Sequence, residues 1–169
     1  MVEALHIHVR LAKGSDLEAM EWEGEYRRYR RVYQRAMADM RRGRRIILVA
    51  EVGEELVGQI FIQLHIHRRE FRRGVSSAYI HAFRVRPAYR NRGVGTRLIL
   101  EAEQVLRDHG LKRAVIAAAH ANPDARRLYE RLGFRKFMSD PGHWSYVDHL
   151  GRLQNVHEPS DILEKWLTD

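Results

Sequence analysis

Apolar and polar positions along the chain divide it into short segments with two different periods. Residues 5–11 alternate, as a half-buried strand does. Ser15-Asp16 offers a helix start. Residues 25–42 place Tyr26, Tyr29, Tyr33, Ala36, Met37 and Met40 at helical spacing, with arginines over the rest, and Gly43 ends the run. Residues 46–52 and 56–66 read as strands joined by the turn Gly53-Glu54-Glu55. A basic loop over 68–74 precedes a strand at 78–85, which stops at Pro87. Residues 93–109 form a helix with Leu98, Ala102, Val105 and Leu106 inward. Residues 114–119 are almost wholly apolar, which predicts a central strand buried on both faces. A helix at 124–132 ends at Gly133, and residues 134–138 and 143–150 supply the last strands. The tail reads as a short amphipathic helix, with Ile162, Leu163, Trp166 and Leu167 on one side.

These elements make one α/β domain with a mixed sheet over residues 1–150. Residues 151–169 form an extension docked on that domain or on a second subunit, which points to a homodimer. A chain of 169 residues with 44% apolar content suits a single core. No stretch reaches the roughly 18–20 apolar residues of a membrane span. The first residues alternate instead of forming an apolar secretory block, so the expected setting is cytoplasmic. The absence of cysteine excludes disulfides, thiol nucleophiles and cysteine-ligated zinc. His6-x-His8 and His65-x-His67 each pair two imidazoles on a strand face, but no third ligand is evident, so no metal is expected. The net charge of +8 comes from 26 Arg against 4 Lys. It fits an anionic partner, nucleic acid included, or a compositional bias, and composition does not separate the two.

Between strand and helix lies Arg90-Asn91-Arg92-Gly93-Val94-Gly95-Thr96. Glycines there let successive backbone N–H groups turn around an anion, and the positive end of the following helix points at the same place. By itself the glycine pair is a weak signal. The third glycine of a dinucleotide fingerprint is missing, and so is the GK[ST] of a P-loop. However, the run from Phe83 to Gly95 resembles the acyl-CoA motif of the GNAT superfamily of N-acetyltransferases: a strand ending in Val-x-Pro, then Arg/Gln-x-x-Gly-x-Gly/Ala. The run Asn122-Pro123-Asp124-Ala125-Arg126-Arg127-Leu128-Tyr129 through Gly133-Phe134 resembles the family's second motif.

This resemblance implies a mixed, mostly antiparallel central sheet flanked by helices. It also implies direct transfer of an acetyl group from acetyl-CoA, the co-substrate, to a primary amine, either a small molecule or a peptide α-amine. The pyrophosphate would lie on Arg90, Asn91, Arg92, Gly93, Val94, Gly95 and Thr96. A bulge around Phe83 and Val85 would present backbone groups to the pantetheine arm and the thioester oxygen. Asn122 would bond the pantetheine amides, and Tyr129 would protonate the leaving thiolate. His81 resembles in position a catalytic base of the arylalkylamine branch. Tyr79 stands where the histone-acetylating branch carries a glutamate. The early arginine helix and the loop before the motif strand would wall the acceptor site, which suits an acidic acceptor. The alternative class is a non-catalytic GNAT-like acyl-CoA sensor or nucleic-acid-associated module.

Overall fold

The computed structural model describes residues 4–168; residues 1–3 and 169, the outermost ends of the two expected segments, lie outside the described residues. Six strands, β1 (Ile7–Leu11), β2 (Arg45–Val52), β3 (Glu55–Gln63), β4 (Ser77–Val85), β5 (Arg113–Ala119) and β6 (Arg135–Asp140), belong to one sheet. A separate hairpin follows, β7 (His143–Val147) and β8 (Leu153–His157), before β9 (Ser160–Trp166) returns to the main sheet. The sheet order is β1-β2-β3-β4-β5-β9-β6. Every neighbouring pair is antiparallel except β4–β5. The mixed, mostly antiparallel architecture is therefore the one expected.

Helix α1 (Arg30–Arg41) covers one face of the sheet. Its Tyr33, Ala36 and Met37 pack on Ile47, Val49 and Phe61 of the hairpin β2–β3. On the other face, α2 (Val94–Asp108) and α3 (Pro123–Arg131) enclose the larger core with Leu98, Ile99, Ala102, Leu106 and Tyr129. Burying each large side chain there is worth about 1.5–3 kcal/mol before entropy costs. Ala114 and Val115 are both fully buried although they point to opposite faces, as the apolar run of β5 predicts.

Two sequence expectations fail. The helix expected over 25–42 begins only at Arg30, because the residues before it form 3₁₀ turns. Trp22 (φ 47°), Glu23 (φ 56°) and Gly24 (φ 106°) are left-handed. Buried Trp22 meets Tyr26 edge-on at 5.0 Å, and Arg86 grips the Glu23 carboxylate at 2.8 and 3.1 Å. Tertiary contacts override helical spacing there.

The tail is also not a helix. Residues 160–166 are β9, inserted between β5 and β6. Ile162 packs with Phe71 and Val115 on one face, while Leu163 joins the α2–α3 core on the other. Adjacent apolar residues buried on opposite faces mark a central strand. Of the apolar side that argued for a docked extension, Ile162 and Leu163 are buried in the chain's own sheet, Leu167 packs partly on its core, and Trp166 stays half-exposed.

Candidate active site

β4 and β5 run side by side only from Ser77–Arg113 to Ile80–Ile116. Beyond that, β4 stays with β3 as far as Val85–Gly58, and β5 stays with β9 as far as Ala119–Ser160. A wedge opens between the two strands. At its mouth β4 bulges: Phe61 faces His81 and Gln59 faces Arg84, so Ala82 and Phe83 oppose Ile60 alone. Ala82 takes φ 48°, a left-handed strain of order 1–3 kcal/mol for a residue with a Cβ. Fully buried Gln59 holds this bulge, its Nε2 donating to the Ala82 carbonyl at 3.2 Å. The extra residue leaves Arg84 on the face of His81 and turns Phe83 toward α2 and α3, where its ring lies 6.1 Å from that of Tyr129.

The α2 N-terminus lies on that second face. Asn91 (φ 59°) and Gly93 (φ 89°) turn the chain so that Val94, Gly95 and Thr96 begin the helix with amides that have no intrahelical acceptor. Gly95 is closely packed: a Cβ there would stand 3.1 Å from Phe83 and 3.3 Å from Leu128. A negative group is favoured at this helix end. The arginines divide their work. Arg90 Nε donates to the Val85 carbonyl at 3.0 Å and ties the loop to the strand. Arg92 lies over the Tyr89 ring at 5.8 Å, and Arg97 pairs with Glu101 at 3.0 Å.

Exposed Asn122 caps α3, its Oδ1 accepting from Ala125 N at 3.2 Å, and its amide N–H groups remain available for a ligand. Tyr129 sits on the buried side of α3, 5% exposed, between Phe83 and Phe134. Burial raises its pKa far above the usual phenol value, and Tyr79 adds to the effect. Burial pushes Tyr79 itself up to about 12. Both phenols are neutral donors at physiological pH.

His81 does not stand as a poised base. Arg45 Nη1 contacts its Nε2, and since a guanidinium only donates, the ring nitrogen must accept. Burial, then the charges of Arg45 and Arg84, lower its pKa to about 3. The ring stacks on Tyr79 at 5.8 Å and meets Phe61 edge-on at 5.5 Å. His81 is a neutral wall residue whose lone pair is already engaged. Sequence reasoning missed Gln59 and Arg45. Gln59 left a signal as the single polar residue within the apolar run of β3, whereas Arg45 is one arginine among many.

A cavity of about 410 Å³ lined by Arg73, Arg135, Lys136 and Trp166 opens elsewhere, beside β6 and β9. No residue of the bulge or of the α2 N-terminus lines it, so it is separate from the wedge.

A bulged strand, a wedge beside it and a glycine-turned helix start agree with the comparison to known proteins, in which residues 12–134 match the acetyltransferase (GNAT) family. The chain belongs to the GNAT acetyltransferase family. It is 37% identical over 89 residues to N-alpha-acetyltransferase 30 of Xenopus laevis, an alignment covering 53% of this chain. The chain spans about a third (31%) of the length of that relative. Among solved structures, PaiA N-acetyltransferase of Thermoplasma acidophilum in complex with coenzyme A superposes with a TM-score of 0.73, at 17% identity, over 96% of this chain and all of that one. Arabidopsis thaliana NAA60 in complex with acetyl-CoA gives 0.71, at 22% identity, over 95% and 98%. At these identities the superpositions speak for the GNAT fold alone.

On the face of the GNAT sheet opposite α2 and α3, an aromatic wall stands beside Arg84 of β4. Tyr29, one residue before α1, stacks on Trp144 at 6.4 Å and tilts against Tyr146 at 4.8 Å, both from β7. Tyr26 stacks on Tyr29 at 6.1 Å. The residues before α1 therefore meet the β7–β8 hairpin on one side and Arg84 of β4, beside the bulge, on the other.

Proposed function

We propose that this GNAT chain transfers the acetyl group of acetyl-CoA directly to the α-amine of a peptide N-terminus. The observation that carries this reading is the wedge itself: β4 bulged at Ala82, the α2 amides on one face and an aromatic wall beside Arg84 on the other. The glycine turn and the open first turn of α2 suit a pyrophosphate. Backbone groups at the bulge suit a thioester oxygen, as an oxyanion site made of main-chain donors.

In the reaction a neutral amine attacks the thioester carbonyl, a C–N bond forms and the C–S bond breaks. The amine proton leaves to solvent, the departing thiolate takes a proton from Tyr129, and the Tyr129 phenolate regains a proton from solvent. The choice of amine follows from what surrounds His81. Stripping an α-ammonium of pKa near 7.7 costs about 1 kcal/mol at pH 7, against about 4.6 for a lysine-like amine near 10.4. His81, at about 3, is far too weak to take the proton from either. The charges that hold it neutral, Arg45 and Arg84, also oppose a third cation. An α-amine needs no more help than that, while an alkylamine does. The name of the Xenopus relative supports the same choice.

Peptides with free N-termini and matched alkylamines, incubated with acetyl-CoA and followed by thiol release and mass spectrometry, test the proposal. Acetylation at the α-nitrogen is expected. Acetylation of alkylamines alone would overturn the choice of acceptor, and no acetylated amine of any class would overturn the transferase reading.

A further inference from the structure

Most buried or half-buried arginines among the described residues have a carboxylate. Arg10 pairs with Asp16 and Glu51, Arg45 with Asp39, Arg86 with Glu23 and Arg113 with Glu164. Arg84 is different. It is half-buried on β4, directly after the bulge, and among the described residues it has no carboxylate within ion-pair distance. Its Nη1 donates to the Tyr33 hydroxyl at 2.9 Å, and its guanidinium lies 4.2 Å over Tyr26 and 5.3 Å from Tyr29. Arg28 approaches the same two rings, at 4.6 Å from Tyr29 and 5.3 Å from Tyr26, and donates to the Glu25 carbonyl at 2.7 Å. Two guanidiniums thus share one pair of tyrosines with no anion between them. The hairpin's own Asp148 is committed elsewhere, to the Leu150 and Arg152 amides and the Gln154 side chain, each at 2.9 Å.

Holding two cations together without a counter-charge is unfavourable, and planar guanidiniums are built to grip a carboxylate through paired N–H donors. Most of the Arg84 donors remain after its bond to Tyr33. The position fits an acceptor: Arg84 shares a face with His81, beside the bulge, under the wall of Tyr29, Trp144 and Tyr146.

We infer that Arg84, with Arg28, is the specificity determinant for an acidic acceptor, a peptide whose first or second residue is Asp or Glu, with the carboxylate held between the two guanidiniums over Tyr26 and Tyr29. This rests on the acetyltransferase reading and deepens it. Free acidic amino acids carry the same chemical group, and they form a separate arm of the test.

The experiment measures kcat/KM with acetyl-CoA on matched peptides bearing Asp, Asn, Glu or Gln at position 1 or 2, and on free and amidated glutamate, at low and high salt. The wild type is expected to prefer acid over amide by about 10-fold or more, less at high salt. Arg84→Gln is expected to bring the acid-to-amide ratio toward one, and Arg84→Lys to retain part of it. Arg28 is exposed, so Arg28→Gln carries the test if the Arg84 variants fail to fold. Equal use of acid and amide peptides by the wild type overturns the inference while leaving the transferase reading intact, as does a ratio that survives in both glutamine variants. Preference for free glutamate over every acidic peptide overturns the peptide assignment. Failure to acetylate any amine removes the transferase reading and this inference together.

Discussion

The Tyr129 phenol is kept neutral by its apolar surroundings, so it carries a proton through the reaction until a leaving group needs it. A thiolate, whose conjugate acid has pKa near 8.5, is a weaker base than this phenolate, so the transfer runs uphill and has to accompany C–S cleavage. Tyr129→Phe removes the proton and leaves the ring packed. It is expected to lower kcat roughly 10²-fold or more while acetyl-CoA affinity changes little. Steady-state kinetics and calorimetric titration check this, and an unchanged kcat would assign the proton to water. His81 makes a different prediction. Its folded pKa, about 3, lies below the ordinary 6.5, so the unfolded chain binds the extra proton first as pH falls. Stability is therefore expected to drop between pH 6.5 and 3, and His81→Gln should flatten that slope. Melting temperature measured against pH for both proteins decides it, and parallel curves would show that His81 is not the group responsible. Motif residues such as Gly93, Gly95, Pro87 and Tyr129 were legible in the sequence because their unusual types sit at fixed spacing. The Arg45 contact that engages the His81 lone pair was not legible, because it joins positions 36 apart.

At the level of elements, α2 and β9 show opposite degrees of legibility. The start of α2 is written locally, in Gly93 with its left-handed backbone and Gly95 packed against Phe83, so its placement is legible to one residue. Gly93 has φ 89° and open space around a would-be Cβ, so it tolerates a side chain on steric grounds. Gly93→Asp and Gly93→Asn then share shape and backbone strain and differ in charge. Coenzyme A is expected to raise the melting temperature of the Asn variant much more than that of the Asp variant. Equal shifts would place the pyrophosphate elsewhere. β9 is written non-locally. Its apolar residues fit a helical face, and only the packing on the two faces of the sheet shows that Ile162 and Leu163 point apart. Leu163→Ala is expected to cost about 2–5 kcal/mol in urea unfolding, as for a buried leucine in a packed core. A cost under 1 kcal/mol would contradict its central position.

For the whole molecule, the proposed reaction leaves deprotonation of the acceptor to the acceptor's own pKa. The pH dependence of kcat/KM is therefore expected to follow the amine, rising to a plateau near pH 8 for an α-amine, and to move with the pKa of the N-terminal residue used. A profile fixed across acceptors of different pKa would instead reveal a titrating enzyme group. The order of the sheet has a further consequence for how the chain is made. β6 has β9 as its only neighbour in the sheet, and β5 has nothing on that side until β9 arrives. A nascent chain can complete the glycine loop, both long helices and five strands on the ribosome and still hold an open slot. The sheet closes only when residues 160–166 have been translated and have threaded between two strands already made. Until then the exposed edge of β5 is a template for any other extended chain. A chain cut short within β9 would carry every residue of the acetyl-CoA motifs and lack a closed sheet to hold them.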